Sequence, residues 1–431
     1  MNKQGNGETA LGDIRVLELC DAKGVYAGKL LAGLGAEVIK VERPGGDSTR
    51  DIGPFYNNTP DPEKSLFHFH FNYDKKSITL NLENSDGREI FKKLVKTADV
   101  VMETYPPGYM DSLGLGYAEL GKLNPRVIMC SITGFGQYGP HKDFKAPDIV
   151  GTAMGGLMYL GGFVGEAPNY PGAYQGYHLA STDAANGIIA ALYVRDFTGE
   201  GQYVDVSMQE SVSRSIELLM VSWDLRKIDR KRTGRQVYRG WDEVFACKDG
   251  FILCSPLGGG GWKLILEWMD REGLAADLKT EKMQLVLTAM ADRQMDRGVA
   301  DAKRMDPRML RDYTAEIKHI EQVWADFCMA HTREELYEEC QRRGVRLMPV
   351  YSAEDVLNDP QLRARDFFVD VEYPELGVSI RDLGGPHRLS ATPWVIRRRA
   401  PLIGENNRDI YENELGLSAQ EVRILKEEGT I

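Results

Sequence analysis

The chain has 431 residues, with 53 lysines and arginines against 64 acidic residues and a formal charge of -11. That length accommodates two domains, or one large domain with an insertion, around a sizeable core. The acidic balance excludes nucleic-acid binding by bulk electrostatics, so any anionic ligand needs a local basic patch.

The opening "MNKQGNGETALGDIRVLEL" lacks the basic-then-apolar layout of a secretory leader, and no apolar run approaches the ~20 residues of a membrane span. The expected setting is the cytoplasm, with no membrane partner. The N-terminal half then alternates β-rich and helical runs: "IRVLEL", "GKLLAGLG", "AEVIKVE", "GREIFKKLVKTA", "DVVMET" and "RVIMCSIT". Such alternation predicts βαβ units, and therefore an α/β fold on a parallel, doubly wound sheet. Ligands of such sheets gather at the carboxyl ends of the strands. Two Pro/Gly loops fall there, "RPGGDSTR" after the second strand and "YPPGYM" after "DVVMET". In the first, the bare amides of Gly45 and Gly46 together with Arg43 suit a phosphate, although an ordinary turn has the same composition.

Residues 171–208, "PGAYQGYHLASTDAANGIIAALYVRDFTGEGQYVDVSM", read as a loop, a long helix of small residues, a glycine turn and a strand. From about Arg230 the texture changes. "WDEVFACKDGFILCSPL" predicts strands around a Lys-Asp-Gly turn, and the tetraglycine Gly258–Gly261 reads as a strand-to-helix turn before "WKLILEWMDREGL". Residues 275 to 345 are charged and mostly helical, with Trp324, Phe327, Leu336 and Tyr337 on an apolar stripe read as core. Short strands resume after Val345, and a capped helix closes the chain. The expected division is a large domain over 11–225, a small domain with linkers over 226–345, and a segment returning to the large domain over 346–431. The six cysteines are scattered, with no CxxC pair and no clustered histidines. Cys20, Cys130, Cys247 and Cys254 lie in apolar strand-like runs and read as buried small hydrophobes, and no metal site is expected.

Several stretches occur in an order that carries a resemblance: "RVLEL…AGKLLAGLGAEVIKVERPGGD", "NYDKKSITLNL", "DVVMETYPPGYMDSLGLGY", "SITGFGQYGPHKDFKAPDIVGTAMGGLM", "GIIAALYVRDFTGEGQYVDVSMQE", "CKDGFI" and "PLIGENNRDIY". Together, from about Leu11 to Ile431, they resemble the family III CoA-transferases. The resemblance implies a Rossmann-like large domain, a smaller α+β domain, and an interlocked dimer of two ring-like chains. It implies coenzyme A and its acyl thioesters as substrates, with no prosthetic group. Carried over by position, Arg43, Asn72, Lys75 and Lys76 would face the nucleotide end of CoA, and Thr104, Tyr105 and Lys145 would lie along the ligand. Each lysine also reads as a solvated surface charge.

The family's transferases use an aspartate as nucleophile, which passes through a mixed anhydride to an aspartyl-CoA thioester. Counting back without a gap from Gly187 in "GIIAALYVRDFTGEGQYVDV" puts Tyr177 at that place. A tyrosine, with a pKa near 10, stays protonated and does not form the anhydride by this route. Asp183 lies six residues on, which on a helix turns the side chain by about 600° and shifts it ~9 Å along the axis, so it is expected to point elsewhere. His178 reads as a general base or as a hydrogen-bonding loop residue. Asp148 matches an acidic position common in the family, or caps a helix. The family's racemases add a histidine that would fall near Pro147, which disfavours their chemistry. The chain resembles the aspartate-free subunit of a heteromeric transferase of the succinyl-CoA:benzylsuccinate type, whose paralogous partner would carry the aspartate. The alternatives are a homodimeric acyl-CoA enzyme with altered acid and base groups, and a non-catalytic CoA-binding protein.

Overall fold

The apolar runs of the N-terminal half form β1 (Arg15–Leu19), β2 (Glu37–Glu42), β3 (Lys76–Thr79), β4 (Val100–Glu103) and β5 (Ile128–Thr133), and β6 (Tyr203–Ser207) follows the glycine turn. They are seen in a computed structural model that describes residues 9–234, 244–254, 261–295 and 313–431. All six pair in one parallel sheet of order β3-β2-β1-β4-β5-β6. This is the α/β, Rossmann-like arrangement that the alternation predicts. Its switch point lies between β1 and β4, where the strand order reverses and a crevice opens at the carboxyl ends.

Three helices cover the first strands: α1 (Val25–Gly33), α2 (Leu66–Asn72) and α3 (Ser85–Val95). On one face of the sheet, Val16, Val38, Val100 and Ile128 pack with Ala27 and Leu31 of α1 and with Ala180, Ala184 and Ile188 of the long helix Gln175–Thr198. On the other, Leu17, Ile39, Val101 and Met129 pack with Phe91 and Leu94 of α3 and with Ile410, Tyr411 and Val422. Both faces are covered, so β1 to β5 are buried along nearly their whole length rather than at alternate residues. The long helix approaches closely because its sheet-facing positions are mostly alanine. It ends where Gly199 takes a left-handed conformation (φ 77°), as the "TGEG" turn requires.

The chain divides into two compact units, one of Met1–Tyr159, Asn169–Arg230 and Pro360–Ile431, the other of Leu160–Pro168 and Lys231–Asp359. The first contains the six-stranded sheet and an antiparallel pair of Phe368–Tyr373 with Val378–Leu383. The second contains a three-stranded antiparallel sheet of Val244–Cys247, Gly250–Cys254 and Leu347–Pro349. Its core gathers Ile252, Trp262, Ile265, Trp268, Trp324, Phe327 and Leu336. Tyr337, expected on the same stripe, is 38 % exposed. Gly258, Gly259 and Gly260 lie outside the described residues, and Gly261 opens the helix Gly261–Arg271. All six cysteines are buried free thiols. Among the described residues, no helix is long and apolar enough to cross a membrane.

Beneath the crevice lies a buried charge network. Glu18 on β1 accepts from Lys75 at 2.7 Å and from Lys40 of β2 at 3.2 Å, with all three side chains essentially out of solvent. Lys75 donates further to the Val25 carbonyl and to Asn72, each at 3.0 Å. Lys40 bonds the Cys20 carbonyl at 3.0 Å and pairs with Asp47. Arg50 grips both oxygens of Glu42, at 2.6 and 2.8 Å, and the Pro401 carbonyl at 3.0 Å. Gly28 of α1 lies against the Glu18 carboxylate, where a Cβ would fall 1.6 Å from Oε2. Removing one partner from such a network strands a buried charge and costs ~3–5 kcal/mol. Glu18→Ala is therefore expected to lower unfolding stability by about that amount, read by chemical denaturation. A loss below about 1 kcal/mol would show that the network is not required.

Candidate active site at the carboxyl ends of the strands

A cavity of about 710 Å³ opens at the switch point. β1 delivers Cys20, Asp21 and Lys23 to it, β2 Val41 and Arg43, β4 Thr104 and Tyr105, and β5 Thr133 and Gly134. The loop before the helix Asp148–Met154 adds Lys142 and Lys145, and the first turn of the long helix adds Tyr177. Every strand flanking the reversal therefore contributes its last residues, as the topology dictates.

Five of the residues expected from sequence meet here: Arg43, Thr104, Tyr105, Lys145 and Tyr177. The "NYDKKS" residues lie elsewhere. Asn72 donates to the His68 carbonyl at 3.0 Å and accepts from the buried Lys75. Lys76, at the amino end of β3, pairs with Glu37 at 2.7 Å. Asp183 forms an ion pair with Arg214. His178 packs edge-on against Tyr26, with ring centroids 5.0 Å apart, and burial holds its pKa below the usual histidine value.

Tyr177 is held from both ends. Its backbone N–H donates to Asp148 Oδ1 at 2.8 Å, and its ring stacks parallel to Tyr174 at 5.7 Å. The other Asp148 oxygen accepts the Tyr170 hydroxyl at 2.7 Å. Asp148 thus fixes the loop that enters the helix, and it is 3 % exposed. Burial, then the Asp21 charge, push the Tyr177 phenol up to about 12, so it is a neutral hydrogen-bonding group at physiological pH. Burial and the Glu18 charge likewise raise the Cys20 thiol well above its ordinary value, which keeps it from acting as a thiolate. Asp21 spends one oxygen on the backbone N–H of Lys23, at 2.9 Å, and the other on the Lys23 ammonium. Among the described residues, no cluster of His, Cys, Asp and Glu has metal-binding geometry.

The sequence reading did not single out Asp21, Lys23, Thr133, Lys142 or Glu103. The signal available was position alone: "CDAKG", "SIT" and "MET" each end a strand beside the reversal.

A six-stranded sheet of this order with a cavity at its switch point defines a protein of the Rossmann-like α/β class. The sequence profile of CoA-transferase family III matches residues 11–407. The chain is 33% identical over 420 residues to the succinyl-CoA:(R)-benzylsuccinate CoA-transferase subunit BbsE of Thauera aromatica, covering 97% of each chain. It is equally 33% identical over 420 residues to the succinyl-CoA–D-citramalate CoA-transferase of Chloroflexus aurantiacus, covering 96% of each. Its fold is similar to that of a CAIB/BAIF family protein from Brucella suis, with TM-score 0.79, 27% identity and coverage of 94% of this chain and 99% of that one. The chain belongs to CoA-transferase family III and is a CoA-transferase, acting on CoA thioesters.

Glu103, at the end of β4, is 3 % exposed and accepts the Tyr105 N–H at 2.6 Å. Burial pushes its carboxyl up to about 7, against the pull of Ser131 and the Tyr105 amide. A carboxyl whose folded pKa is raised favours the fold at low pH, and this contribution is lost as pH rises from the ordinary glutamate value, near 4.3, through about 7. Glu103→Gln keeps the acceptor for the Tyr105 amide and removes the charge. It is expected to flatten the stability–pH profile across that window and to stabilise the protein above pH 7 by on the order of 3 kcal/mol. Thermal melts at a series of pH values read the effect, and a variant whose profile parallels the parent's contradicts it.

Proposed function

We propose that this chain is the subunit of a heteromeric CoA-transferase that lacks the attacking carboxylate. CoA would move from a donor such as succinyl-CoA to an acid such as an aromatic succinate, in the cytoplasm. The observation that carries the reading is that Tyr177 lines the cavity, with its backbone held by Asp148 at 2.8 Å; in this reading it takes the place of the family's nucleophile. Several of the neighbouring groups are already engaged. The Cys20 thiol is held protonated, Asp148 and Asp21 are committed on both oxygens, and Asp183 is paired with Arg214.

In this reading Arg43 and Lys145 meet the phosphates of CoA, with Thr104 and Tyr105 along the pantetheine arm. Asn72 and Lys75 support the site from beneath through Glu18. The partner is a paralogue that carries the aspartate, and the two chains form the interlocked dimer of the family. The partner's carboxylate attacks the donor's thioester carbonyl and expels CoA thiolate, leaving a mixed anhydride. The thiolate attacks the aspartyl carbonyl, freeing the donor acid, and the acceptor carboxylate takes over the resulting thioester in the same two steps reversed. An aromatic acceptor would meet, beyond the cavity, a row of rings that starts at Tyr177: Tyr174, Phe67, Phe71, Tyr26 and His178 follow in successive contact at centroid distances of 4.5 to 6.0 Å. Such an acceptor is supported by the benzylsuccinate relative.

The purified chain alone is expected to transfer CoA from succinyl-CoA to labelled succinate or benzylsuccinate at least about a hundredfold more slowly than the chain combined with the aspartate-bearing paralogue. Rapid transfer by the chain alone would sink the reading.

A further inference from the structure

The cavity's cations are of two kinds. Arg43, Lys142 and Lys145 are exposed at the rim, whereas the Lys23 side chain is only 22 % exposed and lies on the inner loop that follows β1. That loop is tightly built. The Lys23 carbonyl accepts from Ser181 of the long helix at 2.9 Å, and the Asp21 N–H donates to Thr104 at 2.9 Å. At Gly24 a Cβ would come within 2.9 Å of Cys20, Thr104 and Ile132 together. The Lys23 ammonium engages Asp21 and keeps donors to spare. At the end of β5, two strands along the sheet from β1, Thr133 lines the same cavity, is 4 % exposed, and its hydroxyl has no hydrogen-bond partner. A buried hydroxyl of this kind costs free energy until something accepts or donates to it.

We propose that Lys23 and Thr133 form a carboxylate-reading subsite inside the cavity, beside Tyr177, which selects CoA thioesters and acids that bear a second carboxylate. The inference rests on the reading of this cavity as the CoA site. A carboxylate placed there accepts a charge-assisted bond from Lys23 and a bond from the Thr133 hydroxyl, with the protonated Tyr177 phenol lining the same space. Asp21 sets the position of the ammonium and prevents an unpaired cation when the site is empty. The rim cations, exposed to high dielectric, suit phosphates and do not discriminate one acid from another.

Calorimetric titration of the full chain with two non-hydrolysable thioethers of equal length tests this. S-(3-carboxypropyl)-CoA carries the terminal carboxylate of succinyl-CoA, and S-butyl-CoA lacks it. The parent chain is expected to prefer the first by about tenfold or more. Lys23→Met should abolish that preference while leaving S-butyl-CoA affinity within about twofold, Lys23→Arg should retain most of it, and Thr133→Val should reduce it about threefold. A parent that binds both probes equally overturns the subsite and leaves the CoA site standing. A Lys23→Met chain that keeps the preference, or that loses both probes alike, also overturns it. A parent that binds neither probe overturns both readings.

Discussion

The architecture of the large unit depends on one buried contact, the Glu18 carboxylate between Lys40 and Lys75. Desolvating three charges is expensive, and such a cluster is weak evidence for stability as such. Its consequence is geometric. Glu18, Lys40 and Lys75 come from β1, from β2 and from the residue before β3, so the three strand segments must keep their register for the charges to stay paired. The contact also dictates sequence on the covering helix, because only glycine at position 28 leaves room for the carboxylate. The network reaches the cavity directly. Lys40 holds the Cys20 carbonyl and Asp47, which places the loops after β1 and β2, and those loops supply Lys23 and Arg43.

The chain's acidic balance makes this arrangement instructive. An excess of negative charge repels an anionic ligand at long range, so binding must come from cations placed close by with donors to spare. The protein separates the two tasks. Lys40, Lys75 and Arg50 are consumed by buried carboxylates and hold the scaffold, while Arg43, Lys142, Lys145 and Lys23 remain at the cavity. Sequence alone does not sort lysines between these roles. Lys75 and Lys76 are adjacent in the chain, yet one is buried under the crevice and the other pairs with Glu37 at the amino end of the strands.

That asymmetry describes what was legible. The strands, their parallel order and the side of the sheet that bears the site follow from hydrophobic runs and from strand-to-loop transitions, which are local and repeated. The position of Tyr177 followed from counting along a helix with a fixed period, anchored at the glycine turn. What escaped were residues whose significance is created by tertiary neighbours. Lys23 is unremarkable until Asp21 and Ser181 fix its loop, and Thr133 until its hydroxyl proves unpartnered. Glu103 reads as the polar end of a strand, and only burial makes it a carboxyl that titrates near neutrality.

The surroundings of Tyr177 determine how position 177 is presented to the cavity. Asp148 is buried with both oxygens engaged at the loop that enters the long helix, one of them by the backbone N–H of Tyr177. Burying that charge is costly unless its hydrogen bonds are complete, and they are completed by Tyr170 and by the amide of position 177 itself. The amide bond is indifferent to the side chain at 177. The frame that presents this position to the cavity is thus independent of the group it presents, and it fits a neutral phenol as well as a carboxylate. On the proposed reading, this separation of frame from presented group would let the fold contribute binding geometry while another chain supplies the nucleophile.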